Sequence, residues 1–146
     1  MSIDEAKEAL HAVASARQSL AAASAAPLWR HAAFGALMAL VILSAATDAA
    51  LRIVPWIFAM VGLVFLVAWD RRQTGMFVNG YRRGRTLPLT LALTVVMAGL
   101  AIAAFRLTSS GEPVLALLTV PTAFVIAFLT SLRWERIFLA EMGAGR

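Results

Sequence analysis

The chain has 146 residues, no cysteine, a formal net charge of +5 and 61% hydrophobic residues, with a mean hydropathy of +0.80. Soluble domains use roughly 45 to 50% apolar residues, so the composition points to a membrane class. The lack of cysteine excludes disulfides, thiolate metal sites and cysteine nucleophiles.

Residues 1–26 form the first expected element, an amphipathic helix outside the membrane. Ser2 and Glu5 have the spacing of a capping box. Ile3, Ala6, Leu10, Val13 and Leu20 follow one helical stripe, a surface for the bundle or for another subunit. Asp4, Glu5, Glu8 and Arg17 interrupt any apolar core, so a cleavable signal peptide is not expected here.

Four charge-poor runs follow, and a bilayer core of ~30 Å needs about 20 helical residues. They predict a membrane domain over 27–132 with spans at about 31–47, 53–69, 87–105 and 113–132. A basic loop over 70–86 joins the second span to the third, and a tail occupies 133–146. The turn between the first two spans is short, so they pair as an antiparallel hairpin. The fold class is all-α, a four-transmembrane-helix bundle of two antiparallel hairpins with an N-terminal cytosolic amphipathic helix. Pro55, Pro88 and Pro113 fall in the first turns of spans, where a missing N–H costs little. Pro121 lies inside the fourth span and predicts a kink. Trp29, Trp69 and Trp134 map to one membrane face and Trp56 to the other, as expected for rings at headgroup level.

Basic residues set the orientation. One face collects both termini and the loop, including Arg30, Arg71, Arg72, Arg82, Arg83, Arg85, Arg133 and Arg136; the other has Arg52 and Arg106. The positive-inside rule then places both termini in the cytoplasm, in a bacterial inner membrane given the alanine and arginine richness.

Helices in lipid associate through close packing of small residues. The candidate packing positions are Gly35 on the first span, Gly62 on the second, Gly99 and Ala103 on the third, and Thr119, Ala123, Ala127 and Ser131 on the fourth. They suit packing within the chain or an oligomer seam.

Apart from His31 at the end of the first span, the spans show only Ser and Thr as polar side chains, with no buried acid for proton coupling. The layout is similar to that of small multidrug transporters, but the first span, AAFGALMALVILSAA, lacks their acidic residue. His31 is a conceivable haem or pigment ligand without a second buried histidine to join it. Asp48 with Arg52, and Arg106 with Glu112, are candidate surface ion pairs marking helix ends. No Ser/His/Asp set, catalytic carboxylate pair or P-loop is apparent, so no catalytic, metal or cofactor residues are assigned and no enzyme is expected.

In the loop, Asn79-Gly80 signals a two-residue hairpin turn. That turn would set Phe77 and Tyr81 at the interface, while Arg71, Arg72, Arg82, Arg83 and Arg85 meet anionic phospholipid or a protein partner. Topology alone is the bland account of the same charges. Nucleic acid is not an expected partner.

The run TGMFVNGYRRGRTLPLT, with the four-span layout, resembles a group of uncharacterised small four-span bacterial membrane proteins with a Thr-Gly, aromatic-Val, Gly-Tyr-Arg, Gly-Arg loop. Thr74, Gly75, Phe77, Val78, Gly80, Tyr81, Arg82, Gly84 and Arg85 carry the likeness. The resemblance implies a fold, no activity, and an association with winged-helix regulators. The leading expectation is a non-enzymatic accessory or scaffold subunit, a homo-oligomer or part of a larger membrane complex. The alternatives are a small oligomeric transporter or channel, and a membrane-tethered modulator of a soluble regulator.

Overall fold

The computed structural model describes residues 4, 6–13, 15, 26–74 and 86–143. Residues 6–13 are helical, with Leu10 and Val13 exposed; the capping pair Ser2 and Glu5 lies outside the described residues. Four long helices follow: α1 (Leu28–Ala46), α2 (Ile53–Thr74), α3 (Leu87–Ser109) and α4 (Pro113–Gly143). All four are long and apolar enough to cross a membrane. The protein is an integral membrane protein with an all-α, four-helix architecture.

The helices outrun the apolar runs that predict them. α2 continues past Trp69 to Thr74, α3 past Phe105 to Ser109, and α4 past Leu132 to Gly143. Hydropathy marks where lipid ends, whereas a helix ends where its backbone is broken. Between Arg133 and Met142 there is neither proline nor glycine. At 1.5 Å per residue, α4 is about 46 Å long and exceeds a ~30 Å hydrocarbon core by several turns. Residues 133–143 therefore continue the helix beyond the apolar run.

The connections are closed by local backbone bonds. Between α1 and α2, the Leu51 and Arg52 amides both donate to the Asp48 carbonyl at 3.0 Å. Between α3 and α4, Gly111 takes φ +81°; its amide donates to Thr108 O at 3.2 Å and the Glu112 amide to Leu107 O at 2.9 Å. This is a Schellman C-cap, in which glycine supplies the left-handed residue. Pro88 and Pro113 sit at the starts of α3 and α4.

α1 is the organising helix, packing most extensively on α4 and also touching α2 and α3, while α4 in turn packs on α3. Ile42 and Ala46 of α1, Ala104 of α3, and Ala116 and Ala123 of α4 form one buried cluster. α2 docks through Ala59 and Leu66, both buried, and through Gly62, where an added Cβ would run into the Leu37 side chain of α1. α4 is one helix through Pro121. Thr119 Oγ1 donates to Ala116 O and Thr122 Oγ1 to Leu118 O, flanking the Leu117 carbonyl whose donor proline lacks.

Candidate functional site at the basic end of the bundle

The antiparallel arrangement gathers the start of α1 and the ends of α2 and α4 at one end of the bundle. Arg30, Arg71, Arg72, Arg133 and Arg136 belong to that end, while Arg52 and Arg106 belong to the other. The Trp29 and Trp69 rings meet edge to face there, 4.5 Å between centroids, a favourable geometry for two ring quadrupoles.

Two polar linkages cross the helices at this level. Arg30 of α1 grips Asp70 of α2 in a fork, Nε to Oδ1 at 2.7 Å and Nη2 to Oδ2 at 2.6 Å. Their side chains keep 28% and 15% exposure, so the pair lies at the edge of the protein interior. A bidentate guanidinium–carboxylate pair fixes geometry as well as charge.

The second linkage runs through His31, which is 1% exposed. Its Nδ1 lies 2.8 Å from Ser131 Oγ and its Nε2 lies 3.0 Å from Glu135 Oε2, both partners on α4. The other carboxylate oxygen of Glu135 accepts from the Ala26 backbone amide. An ionised carboxylate only accepts, so Nε2 carries the hydrogen toward Glu135. In the corresponding neutral tautomer Nδ1 accepts a hydrogen bond from the Ser131 hydroxyl. Glu135 has a second effect. α1 begins after Pro27, without a side-chain cap or an acidic residue in its first turn. The carboxylate from α4 supplies the negative charge that favours a helix N-terminus, an effect of about 0.3–1 kcal/mol at exposed sites.

Ser131, His31 and Glu135 thus form a serine–imidazole–carboxylate chain that sequence reading did not assemble. Its order matches a nucleophile, base and orienting acid, but its setting does not. Ser131 lies within α4, where backbone amides are spent on the helical ladder and none is left for an oxyanion. His31 is sealed from solvent. The arrangement acts chemically as a clamp, satisfying every polar atom of a buried ring and tying α1 to α4. It also removes His31 as a haem or pigment ligand, since both ring nitrogens are engaged within the chain.

The sequence carries the α4 side of this clamp as a periodicity, without the pairing to His31. The four-residue repeat Thr119, Ala123, Ala127, Ser131 continues to Glu135, and ending the span at Leu132 hid its last member. Ala123 and Ala127 are fully buried along the same line. Gly35 faces Phe124, whose carbonyl would lie 3.1 Å from an added Cβ.

Other candidate residues are placed differently. An added Cβ at Gly99 would meet nothing within 4 Å, and Ala103 is exposed; the inward alanine of α3 is Ala104. Arg71 and Arg72 are exposed at the end of α2. Phe77, Tyr81, Arg82, Arg83 and Arg85, with the Asn79-Gly80 turn, lie outside the described residues. The surface pairs Asp48–Arg52 and Arg106–Glu112 do not form. Instead, Arg52 donates to Thr47 O at 3.4 Å and its guanidinium lies 5.1 Å from the centroid of the Phe105 ring. Among the described residues no group of three or more His, Asp or Glu could hold a metal ion. No known protein family, curated protein or solved structure matches the chain.

Proposed function

We propose that this protein is a non-enzymatic accessory or scaffold subunit that assembles with itself or with another membrane protein. The observation that carries the reading is the face of α3 turned away from its own bundle. Gly99 has open space where a Cβ would stand, Ala103 is exposed beside it, and Val95 and Ile102 border them with 72% and 63% exposure. A small-residue step flanked by branched apolar side chains lets a second helix approach closely in lipid, where packing rather than water exclusion drives association.

Two further features support it. Leu10 and Val13 of the N-terminal helix remain exposed, leaving their stripe available to a partner, which also fits a tethered modulator of a soluble regulator. Apart from His31 and Thr86 at the basic end, and Ser44, whose hydroxyl is spent on the Val41 carbonyl, the buried residues among those described are apolar, an interior that favours a structural role over a small transporter or channel. The membrane assignment proposed is the bacterial inner membrane, with both termini and the α2–α3 loop cytoplasmic. The loop arginines Arg82, Arg83 and Arg85 are proposed to contact anionic lipid or the partner.

Native mass spectrometry of the protein released from nanodiscs tests the reading. The expected result is a discrete oligomer or retained partner that is lost in Gly99→Leu, while helicity and thermal unfolding stay as in the wild type. A wild-type monomer with no partner under all conditions contradicts it.

A further inference from the structure

α4 sorts its charges by face where it leaves the hydrocarbon region. Glu135 turns inward to His31, whereas Arg133 and Arg136 are exposed. They are three residues apart and therefore neighbours on one helix surface. Among the described residues neither makes an ion pair or hydrogen bond, in contrast to Arg30, which is held by Asp70. The two free guanidiniums border a groove of about 680 Å³ lined by Leu129, Leu132, Arg133, Arg136, Ile137 and Ala140. Leu129 lies one turn deeper than Arg133, about 6 Å along the axis, and is 56% exposed.

We infer that this groove is a binding site for an anionic phospholipid, with Arg133 and Arg136 holding the headgroup phosphate and Leu129 and Leu132 lying along an acyl chain. The charge requires an anion, and guanidinium forks match phosphate oxygens. The choice of a lipid over a soluble phosphate follows from the order of residues along α4. The cations stand at the level of the Trp134 ring, which favours headgroups, and the apolar wall continues from them into the spanning half of the helix. A soluble anion would gain nothing from Leu129 and Leu132. The named lining residues all belong to α4, and the assignment does not depend on whether the chain assembles.

The test measures phosphatidylglycerol retained by the full-length protein, using native mass spectrometry and a spin-labelled phosphatidylglycerol in nanodiscs, with phosphatidylcholine as the neutral comparison. Replacing both cations in R133Q/R136Q is expected to lower the preference for phosphatidylglycerol about tenfold or more, and R133K/R136K to restore part of it. The loop variant R82Q/R83Q/R85Q is expected to keep this site occupied, and excess inorganic phosphate is expected not to displace the lipid. Both arginines are exposed, so unchanged helicity and thermal unfolding accompany the loss. Undiminished retention in R133Q/R136Q overturns the site, as does loss confined to the loop variant. Complete displacement by inorganic phosphate would make it a soluble-anion site. Loss of a co-purified protein with lipid unchanged would make it a protein contact. Each of these outcomes rejects the assignment, while failure of the assembly test alone leaves it standing.

Discussion

The two ends of the bundle are built on different principles. At the basic end, contacts join residues far apart in the chain: Arg30 to Asp70, and His31 to Ser131 and Glu135. At the opposite end, the hydrogen bonds among the described residues stay local, with Leu51 and Arg52 amides on Asp48 O, the Schellman cap over Leu107 to Glu112, and Arg52 on the Thr47 carbonyl, while the long-range contact of Arg52 is to the face of an aromatic ring, Phe105. The apolar cluster of Ile42, Ala46, Ala104 and Ala116 lies toward this second end, so its helices are joined by packing. One end is specified by charge and hydrogen bonding across helices, the other by turn chemistry and small-residue packing. Single polar substitutions should therefore weigh unequally on the two ends.

The largest effect is expected at Glu135. Glu135→Ala leaves His31 buried with an unpaired ring nitrogen and removes the negative charge at the start of α1. A hydrogen bond to a charged group contributes about 1.5–3 kcal/mol and an orphaned buried donor costs about 1–3 kcal/mol, so with Glu135 18% exposed the expectation is about 2–3 kcal/mol. Reversible unfolding in detergent or bicelles measures it, and the loss should match that of His31→Ala if the two act as a unit. A smaller loss, about 1–2 kcal/mol, is expected for Arg30→Ala, since that pair is more open to solvent and a hydrogen bond to a charged group contributes about 1.5–3 kcal/mol when well shielded. At the other end, Gly111→Ala forces a Cβ into a left-handed conformation at about 1–2 kcal/mol. Asp48→Asn removes no side-chain ion pair and should stay within about 0.5 kcal/mol. If Asp48→Asn cost as much as Glu135→Ala, the contrast between the ends would be lost.

This contrast also explains what could be read before the structure. Long apolar runs, first-turn prolines and interfacial tryptophans report on each helix's relation to lipid, a one-dimensional property, and they define the four helices well. The alanine line of α4 was legible because one periodicity governs one face. On α3 the choice between Ala103 and Ala104 depends on the rotation of the helix against its neighbours, and adjacent small residues offer no basis for it. The charged clamp was hidden for another reason. Asp70 and Glu135 lie just beyond the hydropathy boundaries, where charged residues look like ordinary solvated ends, and only tertiary placement brings them to Arg30 and His31. Surface pairing by spacing failed at Asp48 and Arg52 because the arginine found a carbonyl and an aromatic face instead. The basic stretch from Phe77 to Arg85, where the sequence predicts a hairpin turn, lies outside the described residues.

Four membrane crossings that set the two ends on opposite sides of the bilayer underlie the whole account, and the natural absence of cysteine allows them to be tested cleanly. Single cysteines introduced as Arg72→Cys, Arg133→Cys and Ser110→Cys can be labelled with a membrane-impermeant maleimide in sealed vesicles of both orientations. The account predicts that positions 72 and 133 react only in inside-out vesicles and position 110 only in right-side-out vesicles. Labelling of 72 and 110 from the same side would contradict it.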